Sequence, residues 1–267
     1  MSASVPPAPP VLVFDSGAGG MSVARQIRCL LPWLPVCFVA DDAGFPYGDW
    51  PEEALTAHCV ELLARLVDEL RPCAVVIACN TASTLVLAPL RARVSIPVVG
   101  TVPAIKPAAE RSRSGLVTVL ATPATVIRDY TFDLIRRFAP DTAITLVGAR
   151  RLAGLAEDLV AGREVDLSVL AEEIAPCFVE KNGARTDVVV LACTHYPLLL
   201  PQLMKVAPWE VDWLDPAPAI ARRLANVLGE AAMFPQAGAA LPAGADRVIA
   251  TTGTDMSRLL ALLAHPG

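Results

Sequence analysis

Lysine is nearly missing from this chain: Lys106, Lys181 and Lys205 are the only ones in 267 residues. With a net charge of −5 and no basic block, the sequence carries no electrostatic footprint for nucleic acid. None of the lysines stands in an obvious setting for a Schiff base with pyridoxal phosphate. Paired cysteines are missing too. Cys29, Cys37, Cys59, Cys73, Cys79, Cys177 and Cys193 stand singly at irregular spacings, with no C-x-x-C pair, which excludes a disulfide scaffold. All but Cys79 and Cys193 are expected to be small buried hydrophobes in a reducing compartment. No run of 18 apolar residues escapes interruption by a polar residue or proline, so no membrane span is expected. The opening "MSASVPPAPP" has neither a basic residue nor an apolar run; it reads as a disordered Pro-rich lead and not as a signal peptide, which points to a cytoplasmic protein.

What is present is an alternation. Short β-branched runs, "VLVF" (11–14), "VCFVA" (36–40), "AVVIA" (74–78), "LVTVLA" (116–121), "AITLVG" (143–148) and "DVVVLA" (187–192), are separated by helical patterns such as 52–70 and 166–181. This predicts an α/β fold with mostly parallel sheets covered by helices. The pattern also repeats. A strand opening onto small or hydroxyl residues occurs at "VFDSGAGG" and again at "VLATPATV", and each half closes with a strand ending in Ala-Cys, "VVIACNTAS" (75–83) and "VVVLACTHYP" (188–197). Two similar α/β lobes are therefore expected, with the active site in the cleft between them. The first lobe would take residues 1–98 plus 210–267 and the second 99–209, with boundaries at "PVVGTVPA" (97–104) and after "VAPWEVDW" (206–213).

Open parallel sheets bind ligands beyond the carboxyl ends of their strands. Asp15, Ser16, Cys79, Asn80, Thr81, Cys193, Thr194 and His195 all fall at such ends. A thiol between a strand end and a helix start is rigidly held and feels the positive helix terminus, which favours thiolate. Two buried structural cysteines would account for the same pattern. One cysteine with His195 would suit acyl-enzyme chemistry, but the spacing Cys193-x-His195 argues against that pairing, because neighbours at a strand end point in different directions. Two matched thiols suit a different chemistry, in which a proton is removed from one face of a tetrahedral carbon and another is returned to the opposite face. The α-carbon of an amino acid is the natural target, in a reaction that needs no cofactor if the site itself stabilises the carbanion. Asp15 is the candidate acid, to pair with an ammonium group or to assist Cys79, and His195 would assist Cys193. A helix N-cap at Asp15 and a structural histidine at 195 are the plainer accounts.

Two motifs compete. "DSGAGGMS" between a strand and a helix imitates a dinucleotide fingerprint, but Ser22 replaces the third small residue and Asp15 would lie beside the pyrophosphate. The same glycines could instead let a small carboxylate approach their N–H groups. Zinc on Cys79, Cys193 and His195 has the right ligand types, but no fourth ligand can be read, and no metal is assigned. The segment "DDAGFPYGDW" (41–50) is either a wall of the cleft, with Tyr47 and Gly48 near the substrate, or a surface turn anchored by Phe45 and Trp50.

Taken together, "FDSGAGGMSV", "FPYGDW", "ACNTAS", "ACTHYPLL" and "TTGTD" occur in order along nearly the whole chain, which resembles the glutamate racemase family of the aspartate/glutamate racemase superfamily. The resemblance implies cofactor-independent interconversion of L- and D-glutamate for peptidoglycan synthesis, with no metal, and it is compatible with a homodimer. It implies Cys79 as the base toward D-glutamate and Cys193 as the base toward L-glutamate. Asp15, Ser16, Pro46, Tyr47, Gly48, Asn80, Thr81, Thr194 and His195 match positions that bind substrate or tune the thiols, and a glutamate supporting the second cysteine falls on Glu157. A racemase for aspartate or another amino acid, and a non-catalytic amino-acid-binding protein on the same two lobes, are the alternatives.

Overall fold

The computed structural model describes residues 9–231 and 246–264, so most of the Pro-rich opening lies outside the described residues. Among the described residues eleven strands form in chain order: β1 (Val11–Asp15), β2 (Val36–Ala40), β3 (Ala74–Ile77), β4 (Val98–Gly100), β5 (Leu116–Ala121), β6 (Ala143–Gly148), β7 (Glu180–Lys181), β8 (Ala184–Arg185), β9 (Val188–Leu191), β10 (Asp212–Leu214) and β11 (Arg247–Ala250). One sheet has the order β11-β2-β1-β3-β4 and a second the order β10-β9-β5-β6. All their pairings are parallel, and β7 and β8 form a separate antiparallel hairpin.

The helices are α1 (Met21–Leu30), α2 (Glu52–Leu70), α3 (Asn80–Arg93), α4 (Ile105–Arg111), α5 (Pro123–Val126), α6 (Asp129–Phe138), α7 (Leu152–Val160), α8 (Leu167–Ile174), α9 (Leu200–Val206), α10 (Ala217–Glu230) and α11 (Ser257–Ala264). None among the described residues is long and apolar enough to cross a membrane. The central strands read as unbroken apolar runs because both their faces are covered. In β1, Val11 and Val13 join the core under α1, α10 and α11, while Leu12 and Phe14 join the core under α2 and α3. The second sheet has the same construction, with one core under α7, α8 and α9 and another under α4 and α6.

The six strands expected from the sequence are all present, and α2 covers the expected 52–70. The pattern at 166–181 breaks up: Pro176 ends the α-helical run, and Glu180–Lys181 turns into the hairpin. Sheet membership moves the lobe boundaries. β4 pairs with β3, and β10 pairs with β9, so residues 99–100 belong with the first sheet and 212–214 with the second. Both are three-residue strands, too short to show a period. Cys29 is exposed on α1, against the expectation of burial, whereas Cys37, Cys59, Cys73 and Cys177 are buried.

Register explains the repeat. Phe14 of β1 pairs with Ile77 of β3, so Ser16 and Cys79 each lie two residues beyond a paired position. In the second sheet Leu120 of β5 pairs with Leu191 of β9, which places Thr122 and Cys193 in the equivalent positions. In both sheets these two strands flank the point where the strand order reverses, the usual ligand crevice of an open α/β sheet.

Candidate active site

Cys79 and Cys193, one from each lobe, line a single cavity of about 30 Å³. Ser16, Pro46, Tyr47, Gly48, Asn80, Thr81, Thr194 and His195 line it with them. Phe45, Thr122 and Ala153 also face it and were missed. Thr122 had a signal, since "VLATPATV" is the second copy of the hydroxyl-bearing strand end. Thr81 Oγ1 lies 3.2 Å from Thr122 Oγ1 and 3.4 Å from Thr125 Oγ1, so hydroxyls from both lobes meet at the cavity wall.

Around Cys79 the surroundings favour the neutral thiol. Cys79 caps α3, its Sγ is 3.8 Å from Ser16 Oγ, and it is 6% exposed. Burial, then the charge of Asp15, push its pKa well above the ordinary thiol value, outweighing the N–H groups of the helix start. The thiolate expected from the helix terminus is thus overruled by desolvation. Asp15 is fully buried at the end of β1, where its Oδ2 accepts the Gly20 N–H at 2.6 Å and the Thr194 hydroxyl at 3.2 Å. Burial raises its pKa against the lowering effect of His195 and of the Gly20 and Ser16 N–H groups. The next residue after Cys79, Asn80, is buried, and neither of its amide atoms has a hydrogen-bond partner among the described residues. Buried side-chain amides are normally paired, so Asn80 offers a donor and an acceptor to whatever fills the cavity.

Around Cys193 a second arrangement holds. Cys193 Sγ lies 3.8 Å from His195 Nδ1, and His195 Nε2 lies 2.7 Å from Glu157 Oε1. His195 thus stands beside Cys193 as expected, although the spacing spoke against a hydrolase pairing: residue 195 is helical (φ −73°, ψ −30°), so the chain turns immediately after β9 and the side chains at 193 and 195 converge. The second cysteine is followed by a short 3-10 turn (Tyr196–Leu199) before α9, so it does not cap an α-helix as Cys79 does. Burial alone would lower the His195 pKa. Hydrogen bonds to Cys193 and Glu157, with the Cys193 and Asp15 charges, instead hold it well above the usual histidine range.

Glu157 Oε1 also accepts the Ala18 N–H at 2.6 Å. The glycine turn Ala18–Gly20 therefore does receive carboxylates, as its open N–H groups suggested, but they are the protein's own Glu157 and Asp15. A dinucleotide pyrophosphate would need those same N–H groups, and the fingerprint reading fails on that ground. Among the described residues no group of three or more His, Cys, Asp or Glu side chains could hold a metal ion.

The pKa of His195 has a consequence for stability. A group whose folded pKa is raised contributes stability that is fully present below its unfolded value, about 6.5 for histidine, and is lost as pH rises through the folded value. Glu157→Gln keeps an oxygen for Ala18 and His195 and removes only the charge. The variant is expected to show a lower titration midpoint for the His195 ring by NMR. Its stability deficit of about 1 kcal/mol should be largest at acid pH and vanish above the folded pKa. An unchanged midpoint would mean that Glu157 does not hold the imidazolium.

The sequence profile of the Asp/Glu/Hydantoin racemase family matches residues 32–224. A glutamate racemase of Brucella anthropi is 59% identical over 220 residues, 82% of this chain and 79% of the relative. That of Brucella canis is 57% identical over 226 residues, 84% of this chain and 82% of the relative. Among solved structures, Escherichia coli glutamate racemase in complex with L-glutamate and the activator UDP-MurNAc-ala superposes with a TM-score of 0.86 at 40% identity, covering 98% of this chain and 96% of that one.

Proposed function

The chain belongs to the Asp/Glu/Hydantoin racemase family, and from that membership we propose that it interconverts L- and D-glutamate without a cofactor, one thiol removing the α-proton and the other delivering a proton to the opposite face. The observation that carries this reading is that the two strand-end thiols, one from each lobe, face one cavity. Inversion needs a base and an acid on opposite sides of the α-carbon at once. The electrostatics fit that division: burial keeps Cys79 a thiol, ready to donate, while the imidazolium of His195 lies against the Cys193 sulfur.

Starting from L-glutamate, Cys193 takes the α-proton, the carbanion is held in the water-poor cavity, and Cys79 protonates the other face. Cys79 is then thiolate and Cys193 thiol, poised for the reverse reaction from D-glutamate. Asp15 and Ser16 serve Cys79; Glu157 and His195 serve Cys193. Asn80, Thr81, Thr194 and the Pro46–Gly48 wall orient the substrate, and the free Asn80 amide suits its carboxylate. A cavity of about 30 Å³ has room for about two waters and not for an amino acid, so the lobes must part or the 45–48 wall must lift for substrate to enter. Acting in the cytoplasm, such an enzyme supplies D-glutamate to peptidoglycan synthesis.

The test is solvent deuterium incorporation at the α-carbon by the purified protein without added cofactor, with aspartate as control. Exchange with inversion for both glutamate enantiomers and not for aspartate is expected. Exchange with aspartate alone moves the substrate to another amino acid, and no exchange with either removes the catalytic reading.

A further inference from the structure

Asp41 stands at the end of β2, 1% exposed, and does not line the cavity. Its carboxylate is nonetheless fully engaged. Oδ2 accepts the Tyr47 hydroxyl at 2.6 Å and meets His58 Nε2 of α2 at 2.6 Å, while Oδ1 accepts the Thr251 hydroxyl at 2.7 Å. Its N–H donates to the carbonyl of Asp15 at 2.8 Å, so it is also tied to the catalytic strand end. Three separate segments thus converge on one buried carboxylate: the 42–50 loop, α2, and the "TTGTD" turn after β11. The register supplies the third, since Ala250 pairs with Ala40 and puts Thr251 beside Asp41.

The loop is wound tightly around this group. Thr251 Oγ1 accepts the Ala43 N–H at 3.1 Å, and Trp50 Nε1 donates to the Gly44 carbonyl at 2.9 Å. A Cβ at Gly44 would fall 2.7 Å from Asp41 Oδ2 and 2.9 Å from the Tyr47 ring, so only glycine lets the chain pass. Burial, with Cys59 and Asp41 beside it, pushes the Tyr47 hydroxyl far up in pKa, so it remains a donor to the carboxylate. The far side of the loop presents Phe45, Pro46, Tyr47 and Gly48 to the cavity, and the Phe45 ring centroid is 5.6 Å from that of His195.

We propose that Asp41 is a positioning residue for the reaction, its carboxylate fixing the 45–48 wall through Tyr47 and Thr251 so that the wall stands at substrate distance and Phe45 backs the His195 ring. The proposal rests on the racemase reading of the cavity. A loosened wall gives up contacts made equally with bound substrate and transition state and leaves the thiols in place, so the effect falls mainly on KM.

Thr251→Val removes the hydroxyl at an exposed position and keeps the shape, Thr251→Ser restores it, and Asp41→Asn removes the charge at the hub. The valine and asparagine variants are expected to raise KM for both glutamate enantiomers about tenfold, with kcat within about twofold, and the serine variant to match the parent. Hydrogen exchange of residues 42–50 reads the loop whatever the substrate and should quicken in the first two variants alone. Unchanged KM, or unchanged exchange, in both Thr251→Val and Asp41→Asn overturns the proposal. Failure of the racemase reading looks different: the parent protein does not racemise glutamate, yet exchange at 42–50 still responds to the variants.

Discussion

Cys79→Ser and Cys193→Ser are each expected to lower the rate of glutamate inversion by at least about 10³-fold while the protein stays folded. Serine is nearly isosteric with cysteine, and both thiols are 6% exposed in well-packed surroundings, so melting temperatures should move by only a few degrees. The hydroxyl is a far poorer proton carrier than a thiol. The two variants should differ in what they retain. With Cys79 replaced, Cys193 still faces the α-proton of L-glutamate, so slow deuterium exchange of L-glutamate without inversion survives while exchange of D-glutamate is lost. With Cys193 replaced, the pattern reverses. Measuring exchange and optical rotation separately for each enantiomer checks this, and full inversion by either variant would sink the two-base account.

Much of this site was legible because strand ends are legible. The runs at 11–14, 74–78 and 187–192 are buried on both faces, so nearly every residue is apolar until the chain leaves the sheet, and the first polar side chains mark the crevice. Asp15, Cys79 and Cys193 follow from that rule. Residues contributed from elsewhere do not. Glu157 comes from α7, well inside an amphipathic helix with no local signature, and only a resemblance to known sequences singled it out. Asp41 entered only as the first residue of the 41–50 segment, because its three partners lie 6, 17 and 210 positions away. His195 was expected beside Cys193, but the spacing of the two residues gave no geometry for the contact; a single helical residue at 195 supplies it. The short strands β4 and β10 went unseen for want of length, and that shifted both lobe boundaries.

Gly19→Ala should be nearly as damaging as loss of a thiol, although it adds one methyl group and removes nothing. A Cβ at residue 19 would lie 2.7 Å from His195 Cγ and closer still to its Nδ1, distances that real contacts do not reach. The ring cannot retreat, because it is 2% exposed and fixed at one nitrogen by Glu157 and at the other by Cys193. The alanine must therefore push the two lobes apart or turn the imidazole away from the sulfur. Overpacking of this kind costs about 1–3 kcal/mol in stability, and a displacement near 1 Å at the reacting groups costs about 10²-fold in rate. The expected result is a folded protein with a lowered melting temperature and kcat down at least about 100-fold in both directions. Gly17→Ala gives an independent check, since its Cβ would overlap Glu157 Oε1 and so displace the carboxylate before the ring. Wild-type kcat in Gly19→Ala would show that the lobes meet differently during turnover. Loss in both variants would explain why "SGAGG" is built as it is: the glycines let a carboxylate and an imidazole of one lobe press against the backbone of the other, which brings the two thiols to the same cavity.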